Sequence, residues 1–323
     1  MELLRKNIIS IKKVERFFLL VAFMTLGVFL YYNFFVDPSR FAGTHLVAVN
    51  DLRGYRFKFS SSLLVMLYFY SLFKVVKEKS YGYLIVHLIT IAYFLFFYQS
   101  RTYLVVIGIT TIIFFLRNIS SKFLIKWFAI TVVGLALFTF FLQQVRPDII
   151  QKYEELYTNA LMIIVGENTD EYSTNARIKE FDLVIDYIKE RPILGNGMVG
   201  RMWNEGWRGL FGYFYPSDIG IFGNLFVFGI FGTAIFYYLF FYGFSLSKKI
   251  KYDNLFMLTI QYTFLFLFFL MFFTSFNIKN ASVIYFLLAI IYYFRYYHEN
   301  KIVMSTKIRI DPDQLKQKVA EPV

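Results

Sequence analysis

The sequence predicts an all-α fold: a polytopic integral membrane bundle of about eight transmembrane helices, with one large external loop that contains an amphipathic helix. Two observations carry this expectation. Hydrophobic residues make up 58% of the 323 and charged residues only 17%, with 42 Phe and 26 Tyr, more apolar surface than a soluble domain of this length buries. That surface is also gathered into runs long enough to cross a bilayer, separated by charged segments.

The chain opens with MELLRKNIISIKKVER, basic and without a cleavage-site pattern after its first apolar run, and so expected to be a retained cytoplasmic end. Phe17 to Val36 is then a run of 20 residues, about 30 Å as helix, the thickness of a bilayer core. Further runs cover Phe59 to Val76, Tyr81 to Tyr98, Thr102 to Leu116 and Phe123 to Leu142. After a long polar insertion come Ile219 to Phe244, Leu255 to Thr274 and Ala281 to Phe294. The chain therefore divides into 1–142 (cytoplasmic end and spans one to five), an external loop 143–217, spans six to eight over 218–295, and a cytoplasmic tail 296–323.

With the N-terminus inside, 15 of the 20 lysines fall on inner segments, while 9 of the 14 arginines fall outside. Topology explains the lysines and not the arginines. A planar, permanently charged fork suits bidentate binding of phosphate, so the external arginines point to a phosphate-bearing ligand at the outer leaflet; headgroup anchoring is the plainer account of each one singly. Nucleic acid is not an expected partner despite the net charge of +12, because the charges lie between apolar runs and no soluble basic domain carries them. No cysteine and three scattered histidines leave little to bind a metal, and neither metal nor cofactor is expected.

Arg101 lies in FFYQSRTYLVV, between two apolar runs with almost no loop, which sets its charge at or just below the outer membrane surface. In the external loop, QQVRPDIIQKYEELYTNALMIIVGENTDEYSTN shows helical spacing through Tyr153, Leu156 and Leu161 and then an acidic link. Next, Ser173, Thr174 and Asn175 are cap candidates for a helix over Ala176 to Glu190, with Ile178, Phe181, Val184, Ile185 and Ile188 on one face and Pro192 ending it. Arg177 falls in the first turn of that face, where a cation beside free N–H groups makes an anion site; the alternative is the rim of an interfacial helix. Then comes PILGNGMVG, whose Gly195 and Gly197 permit a tight turn and close backbone approach to a ligand. Trp203 and Trp207 suit an interfacial belt or a sugar-stacking surface.

These residues together resemble the O-antigen polymerase and ligase superfamily: Ser100-Arg101 at the outer end of a span, a large loop carrying Arg177 and PILGNG, then an acidic-aromatic turn with DIG leading into a span that contains FGIFG. The resemblance covers about Gln99 to Gly232. It implies a GT-C-like bacterial inner-membrane enzyme that moves a glycan from undecaprenyl diphosphate to an acceptor without nucleotide sugar or metal. It implies the same lipid-linked oligosaccharide and the bilayer as partners, with the flippase and chain-length regulator of the pathway beside them. Arg101 and Arg177 resemble the family's diphosphate-binding arginines. Where the ligases carry a histidine eleven residues before a glycine, this chain has Asp218 before Gly229, and no histidine lies between His87 and His298. Asp218 is therefore the expected general base, and polymerase is favoured over ligase. Arg191, Gly195, Gly197, Glu180 and Tyr215 are the expected substrate contacts, with Glu180, Asp182, Asp186 and Glu205 as rival bases. A flippase for the same lipid-linked sugar is the alternative from another class; it would need ionisable groups deep in the spans, which are few.

Overall fold

A computed structural model describes residues 2–6, 8–44, 46–50, 54–57, 59, 61–118, 121–151, 154, 158, 172–200, 206–212, 214–250, 254–274 and 281–298. Each apolar run folds as helix within a few residues of its expected ends: α1 Ile11–Phe35, α2 Ser62–Glu78, α3 Gly82–Ala92 with a π-helical continuation Tyr93–Tyr98, α4 Arg101–Asn118 and α5 Ser121–Val145. The polar segment after α5 supplies α6 Tyr172–Glu190 and the short α7 Trp207–Phe211. Then follow α8 Ile221–Lys248, α9 Leu255–Phe273 and α10 Ala281–Tyr293 with its own π turn Phe294–His298. Among the described residues five helices are long and apolar enough to cross a membrane: α1, α4, the Phe128–Val145 part of α5, α8 and α9; Gly82–Tyr98 and Val283–Tyr297 are shorter apolar helices. The protein is a helical, multi-pass membrane protein.

Two helices form the heart of the bundle. α2 is buried almost continuously from Leu64 to Phe73, and α9 is buried along most of its length. Both read as apolar on every side, the pattern of a helix with neighbours all round. α2 packs against α1, α3 and α9, and α9 in turn against α4, α8 and α10. Phenylalanine rings fill the space between them, with Phe73, Phe114 and Tyr262 in mutual contact at 4.4–5.3 Å. Hydroxyls inside the bundle return to the carbonyl one turn back, as Thr90 does to Val86 (2.7 Å) and Thr110 to Val106 (2.8 Å), which satisfies them where no water reaches. Near the N-terminal end of α1, Glu15 accepts a hydrogen bond from the Tyr70 hydroxyl (2.9 Å).

The segment between the first two apolar runs carries an element the sequence reading did not foresee. Val47–Asn50 (β1) and Gly54–Phe57 (β2) pair antiparallel, Val47 opposite Phe57. Phe57 stacks on Phe59 at 5.2 Å and meets Tyr32 edge-on at 5.3 Å, so the hairpin closes over the C-terminal end of α1 through aromatic contacts. Strands of four residues give too short an alternation to stand out beside runs of twenty.

Arg146 has a structural role. Its guanidinium forks onto Asp148 with two bonds of 2.9 Å and donates to the Asn33 carbonyl (2.9 Å), tying the C-terminal end of α5 to that of α1. Tyr153, Leu156, Leu161, Trp203 and Glu205, singled out in the sequence, lie outside the described residues.

Candidate active site

Helix α6 begins at Tyr172, earlier than its cap signals imply, so Ser173, Thr174 and Asn175 lie inside its first turn. Arg177 is then its sixth residue, past the free N–H groups that were to make an anion site there. The helix is also rotated from the expected face. Glu180 and Val184 are 2% and 0% exposed, Ile188 is partly buried on the same stripe, Phe181 is 36% exposed, and Arg177 is exposed. The spacing i, i+4, i+8 explains the choice, because Val184 and Ile188 pack with Phe214, Phe226 and Val227 into a second, smaller core. Glu180 enters that core, while Arg177, on the same side of the helix seven residues before Val184, lies beyond its N-terminal edge and is exposed.

Glu180 is the residue the sequence reading underrated, and the signal was a lone acid on an otherwise apolar stripe. Its Oε1 accepts the backbone N–H of Tyr215 (3.0 Å), while Oε2 is buried without a hydrogen-bond partner. Asp218 stands close enough to act on it electrostatically, as does Arg177 from the turn before. Burial pushes the Glu180 carboxyl up to about 7, against the lowering effect of the Tyr215 N–H; Asp218 raises it and Arg177 lowers it. Asp218 itself is half-buried in the 3-10 turn Pro216–Ile219, where the Ser217 hydroxyl donates to its Oδ1 (3.3 Å). It does not occupy the cap position of α8, which is held by Gly220 at φ 57°.

That turn is wedged tightly. A Cβ at Gly223 would strike the Pro216 carbonyl, and one at Gly220 the Phe272 carbonyl at the C-terminal end of α9. Beyond it α8 is broken at Gly229 (φ 62°, ψ −172°). Asn224 lies close enough to act on the Tyr237 hydroxyl, although thirteen residues of straight helix would part them by about 20 Å. The short first half of α8 therefore folds back over the end of α9 instead of continuing the axis of Ile230–Lys248.

PILGNG completes the break. The N–H groups of Asn196 and Gly197 donate to the Phe226 and Val227 carbonyls (2.7 and 2.9 Å), and those of Ile230 and Phe231 donate to Pro192 and Ile193 (2.7 and 3.1 Å). The loop thus supplies partners to backbone groups that a broken helix would leave bare, which the bilayer does not tolerate. The close approach expected of Gly195 is made to Gly229: a Cβ on either would collide with the other strand's backbone. Gly197, also at positive φ (82°), has open space around it. PILGNG and FGIFG, separate in sequence, are two sides of one joint. At its apex Ile193, Leu194, Met198, Ile230 and Phe231 are all exposed apolar side chains.

Of the remaining expected residues, Tyr215 contributes its backbone N–H, and its side chain is half-buried. Arg191 is exposed at the far end of α6, about 20 Å along the helix from Arg177, beside the joint and away from the carboxyl pair. Trp207 is packed between Phe211 (5.6 Å) and Phe226 (4.8 Å) in the smaller core. Arg101 is half-buried as the first residue of α4, after Gln99 turns the chain at φ 51°. A cation at the positive end of a helix dipole calls for an anion. The next turn of α4 fixes its level, since Tyr103 meets Phe266 of α9 at 5.3 Å, while Gly220 packs on Phe272 of the same helix. Arg101 and the Glu180–Asp218 pair therefore lie toward the same end of α9. Among the described residues there is no group of three or more acidic or histidine side chains able to hold a metal ion. Comparison of the chain with family models, curated proteins and solved structures finds no match.

Proposed function

We propose that the protein is a polysaccharide polymerase of the bacterial cytoplasmic membrane, in which all eight apolar runs cross the bilayer as a GT-C-like bundle. It transfers an undecaprenyl-diphosphate-linked glycan onto the sugar hydroxyl of a lipid-linked repeat unit at the outer face, with the pathway's flippase supplying substrate and its chain-length regulator acting alongside. The observation that supports this reading is the gathering of two cations and two carboxyls in unlike environments at one end of the bundle. Arg101 and Arg177 receive the diphosphate. As the bond between the sugar carbon and the diphosphate oxygen breaks, that charge grows, and the arginines stabilise it, so the leaving group needs no proton. The acceptor oxygen bonds to the same carbon, and its proton passes to Asp218.

The two carboxyls divide the work by environment. Glu180, enclosed and held by Tyr215, keeps its proton to near neutrality, while Asp218 offers its carboxyl to the acceptor from the more open turn. Replacing Arg101 or Arg177 by Ala is expected to abolish polymer with the protein still folded, and Lys to restore little at a bidentate site. Near-native activity of Arg177→Lys would reduce that arginine to a general surface charge.

A further inference from the structure

At the opposite face of the membrane, where α4 and α8 end and α9 begins, two cavities join into one groove. The deeper, of about 370 Å³, is lined only by apolar side chains, among them Phe240, Phe241, Phe264 and Phe268. The shallower, of about 640 Å³, includes Arg117, Asn118, Lys248 and Gln261. Phe244 and Leu265 line both. The groove is therefore amphipathic along its length, greasy inside and cationic at the mouth.

Its dimensions and charge select an occupant. From Leu258 at the mouth to Phe268 at the deep end, α9 advances ten residues, about 15 Å, which is half a bilayer core and the depth of one leaflet. An acyl chain of a leaflet lipid fits that depth, whereas a long polyprenyl chain would run far past it. At the mouth, Arg117 and Lys248 stand with no carboxylate among the described lining residues, and Lys248 is held over the Phe244 ring at 4.6 Å, at the junction of the two halves. Phe241, 60% exposed, lies at the lipid-facing edge of the deep half, so a bilayer lipid can enter sideways. Basic pockets between membrane helices on the lysine-rich side suit anionic headgroups.

We propose that this groove is a binding site for one anionic phospholipid of the cytoplasmic leaflet, its acyl chain between α8 and α9 and its phosphate between Arg117 and Lys248. The site is separate from the carboxyl pair and does not depend on the reaction catalysed there. The test uses the full-length protein in detergent, with lipid retention read by native mass spectrometry and thermal unfolding followed alongside. Dioleoyl phosphatidylglycerol is expected to be retained and to raise the unfolding temperature, and dioleoyl phosphatidylcholine is not. Arg117→Gln with Lys248→Gln is expected to weaken phosphatidylglycerol about 30-fold, from the attraction each cation exerts on an anionic headgroup. Leu265→Trp, which fills the neck, is expected to exclude the chain while the cations remain. Equal retention of the two phospholipids, or an unchanged affinity in the double variant, would overturn the proposal. So would tighter retention of a polyprenyl phosphate than of phosphatidylglycerol. Should Leu265→Trp fail to fold, the charge variant, whose side chains lie at the open mouth, decides the matter alone.

Discussion

Glu180→Gln isolates the least conventional feature of the site, a carboxyl sealed into an apolar core. The glutamine keeps the size of the side chain and an oxygen to accept the Tyr215 N–H, but it cannot ionise. In the folded protein the Glu180 carboxyl titrates near 7, against 4.5 for an ordinary glutamate. Below about 4.5 the group is protonated in folded and unfolded chains alike and favours neither. Between 4.5 and 7 the unfolded chain has released the proton and the folded one has not, so stability falls as pH rises through this window and levels off above it. The steepest slope is about 1.4 kcal/mol per pH unit, and the whole loss is on the order of 2 kcal/mol once partial solvation of the pair is allowed for. The assay is thermal unfolding of both proteins in the same detergent from pH 4 to 8, read as the difference between the two curves so that other titrating groups cancel. The new amide N–H group placed where Oε2 lacked a partner shifts that difference by a constant and leaves its slope alone. A flat difference curve, or one in which the native protein gains on the variant as pH rises, would show that Glu180 is ionised in the fold and would end the division of labour between the carboxyls.

The joint between PILGNG and the broken helix makes a prediction about stability. Gly229→Ala forces a Cβ onto the Ile193 carbonyl in a backbone region open only to glycine, and is expected to lower stability by at least about 2 kcal/mol, measured by thermal unfolding; Gly108→Ala, with open space around it, is the matched control and should be nearly neutral. The topology is tested by a single thiol in a chain that has no cysteine: Met198→Cys, 65% exposed at the apex of that joint, should react with an impermeant reagent in intact cells. Reaction only after the cytoplasmic face is opened would invert the orientation and the mechanism with it.

The positions of the apolar helices were legible because hydrophobic runs of about twenty residues leave few alternatives, and α1 to α5 and α8 to α10 begin and end close to where composition changes. What sequence could not show is how helices turn about their axes and where they break. α6 carries apolar residues at Phe181, Val184, Ile185 and Ile188, enough for two adjoining faces, and the face chosen was decided by Phe214 and Phe226, which arrive from 30 to 40 residues downstream. That choice brought Glu180 in. Gly229 likewise sits in a run that reads as continuous helix; its break became necessary only because the 192–197 loop, remote in sequence, donates to and accepts from the interrupted turn. The glycines were recognised as places of close approach, and the partner in that approach is the chain's own backbone.

The account rests on glycosyl transfer at the outer face, and a reconstituted reaction tests that most directly. Purified protein in vesicles, given only undecaprenyl-diphosphate-linked repeat units, is expected to extend them into longer glycans and to release undecaprenyl diphosphate in step, without added nucleotide. Asp218→Asn is expected to bind the lipid donor as the native protein does and to lose turnover, because it keeps the shape of the side chain and lacks the proton acceptor. Repeat units that cross the vesicle bilayer without being lengthened would make the protein a transporter, and polymerisation by Asp218→Asn at close to the native rate would place the base elsewhere.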